Sequence, residues 1–285
     1  MKLTKRELIL VIILSIAFGA GLGAVGYTAV RIGKAWGRFI ELSELTFGAY
    51  DTAIFTHLPR HRQFILSMRN AFGFDKPLYH SDYGQDRWVV QIVFPDVRNG
   101  FYVDVGSGDG VRQSNSKALD DLGWKGICID PFPTGMQTRT ARLFKEVVYS
   151  EKGLKVRFQP TSFTGGIEDH FNRTKDWPEH QKAEAVEFVT TTLDDILSRA
   201  DAPGFIEYMS IDIEGAELEA LKGLSFAKYK VGAFTIEHNW EEPKRSEVRV
   251  LLESKGYRYA FPRGRDDFYV YSGLFKKPDL TIPAD

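Results

Sequence analysis

Apolar runs and glycine- or acid-rich turns alternate along most of this chain. The clearest instance is Gly100–Pro133, GFYVDVGSGDGVRQSNSKALDDLGWKGICIDPFP. Phe101–Val105 predicts a strand, Gly106, Gly108 and Gly110 a tight turn, and about Ser114–Leu122 a helix. A second strand, Gly126–Ile129, ends on Asp130. Further strands are predicted at Glu146–Tyr149, Lys155–Gln159, Phe188–Thr191, Tyr208–Ile213, Gly232–Glu237, Arg258–Phe261 and Phe268–Tyr271. Helices are predicted near Thr134–Phe144, Leu193–Arg199, Ala216–Leu221 and Lys244–Ser254. That alternation predicts an α/β fold, a mostly parallel sheet with helices on both faces. Ligands in such sheets bind beyond the carboxyl ends of the strands. Residues 104–110, 130, 212–214 and 237–238 all fall at predicted strand ends and should therefore converge.

Before residue 80 the pattern changes. Leu8–Val30 carries no charge over 23 residues. As a helix it would reach about 34 Å, enough to cross a bilayer core of roughly 30 Å. Tyr27 lies near one end and basic residues flank both, as interfacial anchoring requires. The expected order is a basic flank (1–7), a transmembrane helix (8–30), a juxtamembrane helical region broken at Pro59 (31–79) and a catalytic domain (80–285). A cleaved signal peptide competes with this reading, but the apolar stretch is longer than a usual signal core. Gly19-x-x-x-Gly23 offers a helix-pairing face for a homodimer. Gly21–Gly26 matches G-x-G-x-x-G literally, with Glu41 20 residues on. Yet the apolar run before it is too long for one strand, and nothing near Glu41 reads as a second strand.

Composition narrows the class. With 285 residues and 43% hydrophobic content there is material for one sizeable core. The net charge of −1 is uneven: residues 1–40 hold six basic residues and one acid, +5, leaving −6 for the rest. An acidic body argues against nucleic acid as the substrate. The single Cys128 excludes an intrachain disulfide, and its place inside a predicted strand suggests a buried, inert thiol.

The glycine turn lets backbone approach a ligand closely. An acid at the tip of the second strand can accept both hydroxyls of a ribose, and Asp130 follows Gly106 by 24 residues. Asp104, just before the first glycine, suits a cationic ligand better than a pyrophosphate. S-adenosylmethionine is such a ligand, with an ammonium, a sulfonium and no phosphate. Asp104 is then placed to orient the ammonium, Gly106 and Gly108 to let backbone approach, with Ser107 and Asp109 completing the turn. Asn115, at the start of the helix, is a cap or a cofactor contact. Ser150 and Glu151 are a weaker candidate for the adenine side.

VDVGSGDG, SNS, GWKGICIDPFP, TLDDIL (Thr192–Leu197) and SIDIEGAELEAL (Ser210–Leu221) together resemble the FkbM-type family of S-adenosylmethionine-dependent methyltransferases. DYGQD (Asp82–Asp86) and the stretch from His238 to Tyr257 resemble it too, so the likeness spans about residues 80–271. It implies a Rossmann-like class I methyltransferase fold, a methyl donor and usually a hydroxyl acceptor. It also implies that Gln85 and Asp86 close over the cofactor.

The DIEG turn is the candidate for the acceptor side. In a strand Asp212 and Glu214 would face the same way. Two such carboxylates need a cation, a proton or a ligand between them. They would serve as a general base or, with Glu237 or His238, hold a divalent metal; helix capping by Glu214 is the plain alternative. A polar insertion, Gly165–Glu184, would form a lid. The expected function is methylation of a hydroxyl on a membrane-associated lipid, glycan or small molecule, with the catalytic domain on the cytoplasmic side. The alternatives are an inactive membrane-tethered binding module and a dinucleotide-dependent oxidoreductase.

Overall fold

The central strand of the protein, β1 (Phe101–Val105), is buried along four of its five residues and pairs in parallel on both edges. Strands covered on both faces read as near-continuous apolar runs, which is why FYVDV was recognisable without alternation. The computed structural model describes residues 79–95, 97–160, 165–170 and 184–275.

Seven strands form the main sheet in the order β10-β11-β9-β8-β1-β2-β3. Here β2 is Lys125–Ile129, β3 Arg142–Phe144, β8 Phe205–Ile211, β9 Lys230–Glu237, β10 Tyr257–Arg263 and β11 Asp266–Tyr271. The five strands β3-β2-β1-β8-β9 run parallel. β11 lies antiparallel between β9 and β10. A second, four-stranded sheet has the order β4-β7-β5-β6, from β4 (Val147–Val148), β5 (Lys155–Gln159), β6 (Gly166–Ile167) and β7 (Val186–Thr191). The helices are α1 (Gln85–Trp88), α2 (Lys117–Asp121), α3 (Leu193–Arg199), α4 (Glu217–Lys222) and α5 (Lys244–Ser254). One core joins the parallel strands to α3, α4 and α5 through fully buried Val103, Leu193, Ile196, Met209, Leu221 and Leu252. Cys128 of β2 is buried, and burial pushes its thiol up to about 12, so it is inert at neutral pH.

The predicted helices Leu193–Arg199 and Lys244–Ser254 coincide with α3 and α5. The helix predicted over Thr134–Phe144 does not form. That stretch holds a single 3-10 turn, Met136–Thr138, and then strand β3. The buried carboxylate of Asp120 accepts from both N and Oγ1 of Thr140, at 3.0 and 2.5 Å, which holds the chain extended there. The predicted strand Glu146–Tyr149 shortens to β4 and leaves the main sheet to pair with β7. The helix expected from Ser114 begins at Lys117, because Ser114 Oγ accepts from the Ser116 and Lys117 amides and ends the turn first. Among the described residues no helix is long and apolar enough to cross a membrane. The expected segments 1–7, 8–30 and 31–78 and most of the expected lid, 171–183, lie outside the described residues.

Candidate active site

The carboxyl ends of β1, β2, β8 and β9 open into one cleft. Eight acids line it (Asp82, Asp104, Asp109, Asp130, Asp212, Glu214, Glu237 and Asp266), against two arginines, Arg112 and Arg265. Such a wall attracts cations.

Gly106 ends β1 with φ +88°, and a Cβ there would stand 1.7 Å from the carbonyl oxygen of Asp212. Glycine at this position therefore lets the turns after β1 and β8 touch, bringing the two halves of the cleft together. Gly108 differs: its φ is +55°, and the space where a Cβ would go is open. Its amide donates to Asp130 Oδ2 at 2.9 Å, while the Phe132 amide donates to Oδ1 at 2.7 Å. Asp130 is thus held at the tip of β2, and each oxygen keeps a lone pair for a hydroxyl. Burial raises its pKa, and the two amides oppose the rise. Asp104 is 2% exposed and accepts a short hydrogen bond from Ser116 Oγ. Burial raises its pKa too, opposed by Arg139 and Ser116. On the far side of the turn, Phe132 packs against Phe158, ring centroids 5.7 Å apart, and both line the cleft.

Asp212, Glu214 and Glu237 each bring a carboxylate oxygen within 4.8 Å of the others. Strand alternation is not the cause. β8 stops at Ile211, and the left-handed backbone of Glu214 (φ +58°) and Gly215 (φ +116°) turns Glu214 back over Asp212. Glu237, the last residue of β9, enters from the neighbouring strand. Burial pushes both Asp212 and Glu237 well above the carboxylate range, and the neighbouring carboxylates push further. Glu237 Oε2 is buried without a hydrogen-bond partner among the described residues. The capping role considered for Glu214 belongs instead to Glu217, whose Oε1 accepts from the Ile213 and Gly215 amides at 3.1 and 2.9 Å. Glu214 Oε2 accepts from Asn239 Nδ2 at 3.2 Å.

Five sequence candidates sit differently from expectation. His238 leaves the acidic trio and lines a separate small cavity with Arg245 and Asp267. Its Nδ1 accepts from the Trp240 amide at 3.0 Å, Nε2 lies 3.6 Å from Asp267, and burial lowers its pKa. Asp86 does not line the cleft. Fully buried, it accepts from the His80 and Arg87 amides and from Ser81, and so anchors the start of α1. Asn115 caps nothing, since Ser116 is the cap position of α2, but it does line the cleft, and its Nδ2 donates to Ser210 Oγ of β8 at 2.9 Å. Ser150 and Glu151 are not part of the cleft wall, where Phe132 and Phe158 stand instead. Of the others, Gln85 lines the cleft and donates to Asp266 Oδ2 at 2.7 Å. Asp109 Oδ1 accepts from the Val111 and Arg112 amides, tightening the turn, and Ser107 is buried in the wall.

Asp266 escaped the sequence reading. It pairs in register with Glu237, and burial, reinforced by Asp267 and Asp82, lifts its carboxyl to about 7. The available signal was the acid pair Asp266–Asp267 opening a strand. An antiparallel strand begins where its parallel neighbours end, which puts its first residues at the ligand edge.

A parallel sheet with a glycine turn between two acids at the ends of adjacent strands, facing a second acidic group, forms a ligand cleft of the α/β type. Residues 104–259 match the methyltransferase FkbM domain. The match spans more than half of the chain, which therefore belongs to the FkbM methyltransferase family. A search of curated proteins returns no match.

Proposed function

We propose that this protein is a class I, S-adenosylmethionine-dependent methyltransferase acting on a hydroxyl group. The observation that carries the reading is one cleft joining the Asp104–Asp130 turn to the carboxylates at the ends of β8 and β9. The donor set fits the cofactor: an excess of acids for a cationic ligand, a carboxylate at the tip of β2 for a diol, and paired phenyl rings for an adenine. When bound, S-adenosylmethionine supplies an electrophilic methyl group. Asp104 orients the ammonium, Asp130 holds the ribose, and Phe132 and Phe158 together offer the base an apolar wall. Asp212 and Glu237 are too close for both to ionise freely, and burial with this repulsion raises both carboxyls, so the pair favours sharing a proton. In its charged form, a carboxylate with a raised pKa is matched to taking the proton of an acceptor hydroxyl. Calorimetric titration of S-adenosylmethionine and S-adenosylhomocysteine into the full chain tests this. Saturable binding that Asp130→Ala abolishes is expected; no binding by the folded wild type would sink the reading.

A second reading adds a divalent cation held by Asp212, Glu214 and Glu237. It is favoured by the orphaned Oε2 of Glu237 in a group of three carboxylates. Hard cations take such oxygen ligands, and the cation would neutralise the repulsion there. Mn2+ should then raise the melting temperature of the wild type and not of Glu237→Gln.

The acceptor class follows from the uncharged run Leu8–Val30. Read as an anchor, it places the domain at a membrane on the cytosolic side, where the methyl donor is made. A lipid headgroup, polyprenol or glycan carrier is the substrate class that this placement favours.

A further inference from the structure

Arg139 is bonded through every N–H of its guanidinium and touches the glycine turn of the cleft, yet it does not line the cleft. It follows the 3-10 turn between β2 and β3, and its side chain is 1% exposed. Each of its five N–H groups has an acceptor. Nε donates to Asp120 Oδ2 at 3.0 Å. Nη1 donates to Gly110 O at 2.8 Å and to Ser114 Oγ at 3.3 Å. Nη2 donates to Tyr102 OH at 2.9 Å and to Ser116 Oγ at 2.7 Å. Ser116 Oγ, having accepted from Arg139, donates its own proton to Asp104 Oδ2.

From this we infer that Arg139 is a positioning residue for the cofactor. Acting through Ser116, it orients Asp104 and favours its charged form, while its bond to Gly110 O fixes the end of the glycine turn. The inference rests on the cofactor reading above. An isolated buried carboxylate takes up a proton, and a protonated Asp104 would no longer attract an ammonium. A buried guanidinium two bonds away opposes that uptake. Asp120 alone would balance the arginine's charge, but it does not account for the link onward to Asp104. The alternative is that Arg139 only braces the β2–β3 connection against α2.

Three variants separate the two roles, read by S-adenosylhomocysteine titration of the full chain from pH 6 to 9 and by melting temperature. Ser116→Ala cuts the link and leaves the Arg139–Asp120 pair. It should weaken binding at pH 7 by about tenfold or more, with affinity returning as pH rises and Asp104 deprotonates. Arg139→Gln should show a larger loss with the same pH-dependent recovery. Asp120→Asn should lower the melting temperature while leaving the pH profile of binding as in the wild type. The inference is overturned if Ser116→Ala binds with wild-type affinity and pH profile. It is equally overturned if the Arg139→Gln loss follows melting temperature with no recovery at high pH. Wild-type protein that is folded but binds nothing would overturn the cofactor reading itself, and this inference with it.

Discussion

Two glycines two residues apart do different work. A methyl at Gly106 meets the Asp212 carbonyl at 1.7 Å on a backbone already at φ +88°. Gly106→Ala should therefore cost on the order of 3 kcal/mol or more in denaturant unfolding, since β1 and β8 must separate. Gly108→Ala meets no protein atom, only left-handed strain of about 1–2 kcal/mol. It should fold, yet bind cofactor weakly because the methyl enters the cleft. Equal stability losses in the two variants would contradict this distinction. Asp266 makes a pH prediction. Its folded pKa, about 7, lies above the ordinary 3.8, so the native state binds the proton more tightly than the unfolded chain does. The stability it contributes is complete below the unfolded value and disappears as pH rises through about 7. Asp266→Asn should accordingly gain on wild type in melting temperature as pH rises across that window. A difference that stays constant with pH would count against it.

At the level of elements, α1 meets β11 through Trp88, packed edge-on against Phe268, and through Gln85, which accepts from the Tyr83 amide and donates to Asp266. Gln85→Ala leaves a buried carboxylate oxygen unbonded and should cost roughly 1–3 kcal/mol. It should also move the Asp266 transition to higher pH, which proton uptake on unfolding would report. Helix α3 was legible because its local signals agree. Thr192 Oγ1 accepts from the Asp195 amide at 3.2 Å, and Asp194 and Asp195 complement the helix dipole. Thr192→Ala should cost about 1 kcal/mol. Thr134–Phe144 was misread because its apolar residues also fit a helix. What decided the outcome was Asp120, some 20 residues away, capturing Thr140. Local pattern carries no record of such a partner.

Taken whole, the described part of the molecule is an α/β fold with a mostly parallel main sheet and an acidic cleft, and the +5 charge of residues 1–40 belongs to the segment that holds the uncharged run. If that run anchors the protein, the full chain should remain in the membrane pellet after alkaline carbonate extraction. Release into the supernatant would remove the case for a lipid-borne acceptor. The strand–turn–helix–strand run of residues 101–130, with its glycine turn and the two acids flanking it, is determined by sequence alone, because it depends on residues within about 25 positions and on the short-range rules of strand, turn and helix. Tertiary structure alone decided which acids share a site. Asp266 and Glu237 meet through antiparallel pairing, and Glu214 joins Asp212 through a left-handed turn. His238 and Asp86 point elsewhere because buried polar atoms take the nearest partners that satisfy them. Arg139 gains its meaning only when the β2–β3 connection folds back under the glycine turn, since five acceptors from four separate segments can surround one guanidinium only in three dimensions.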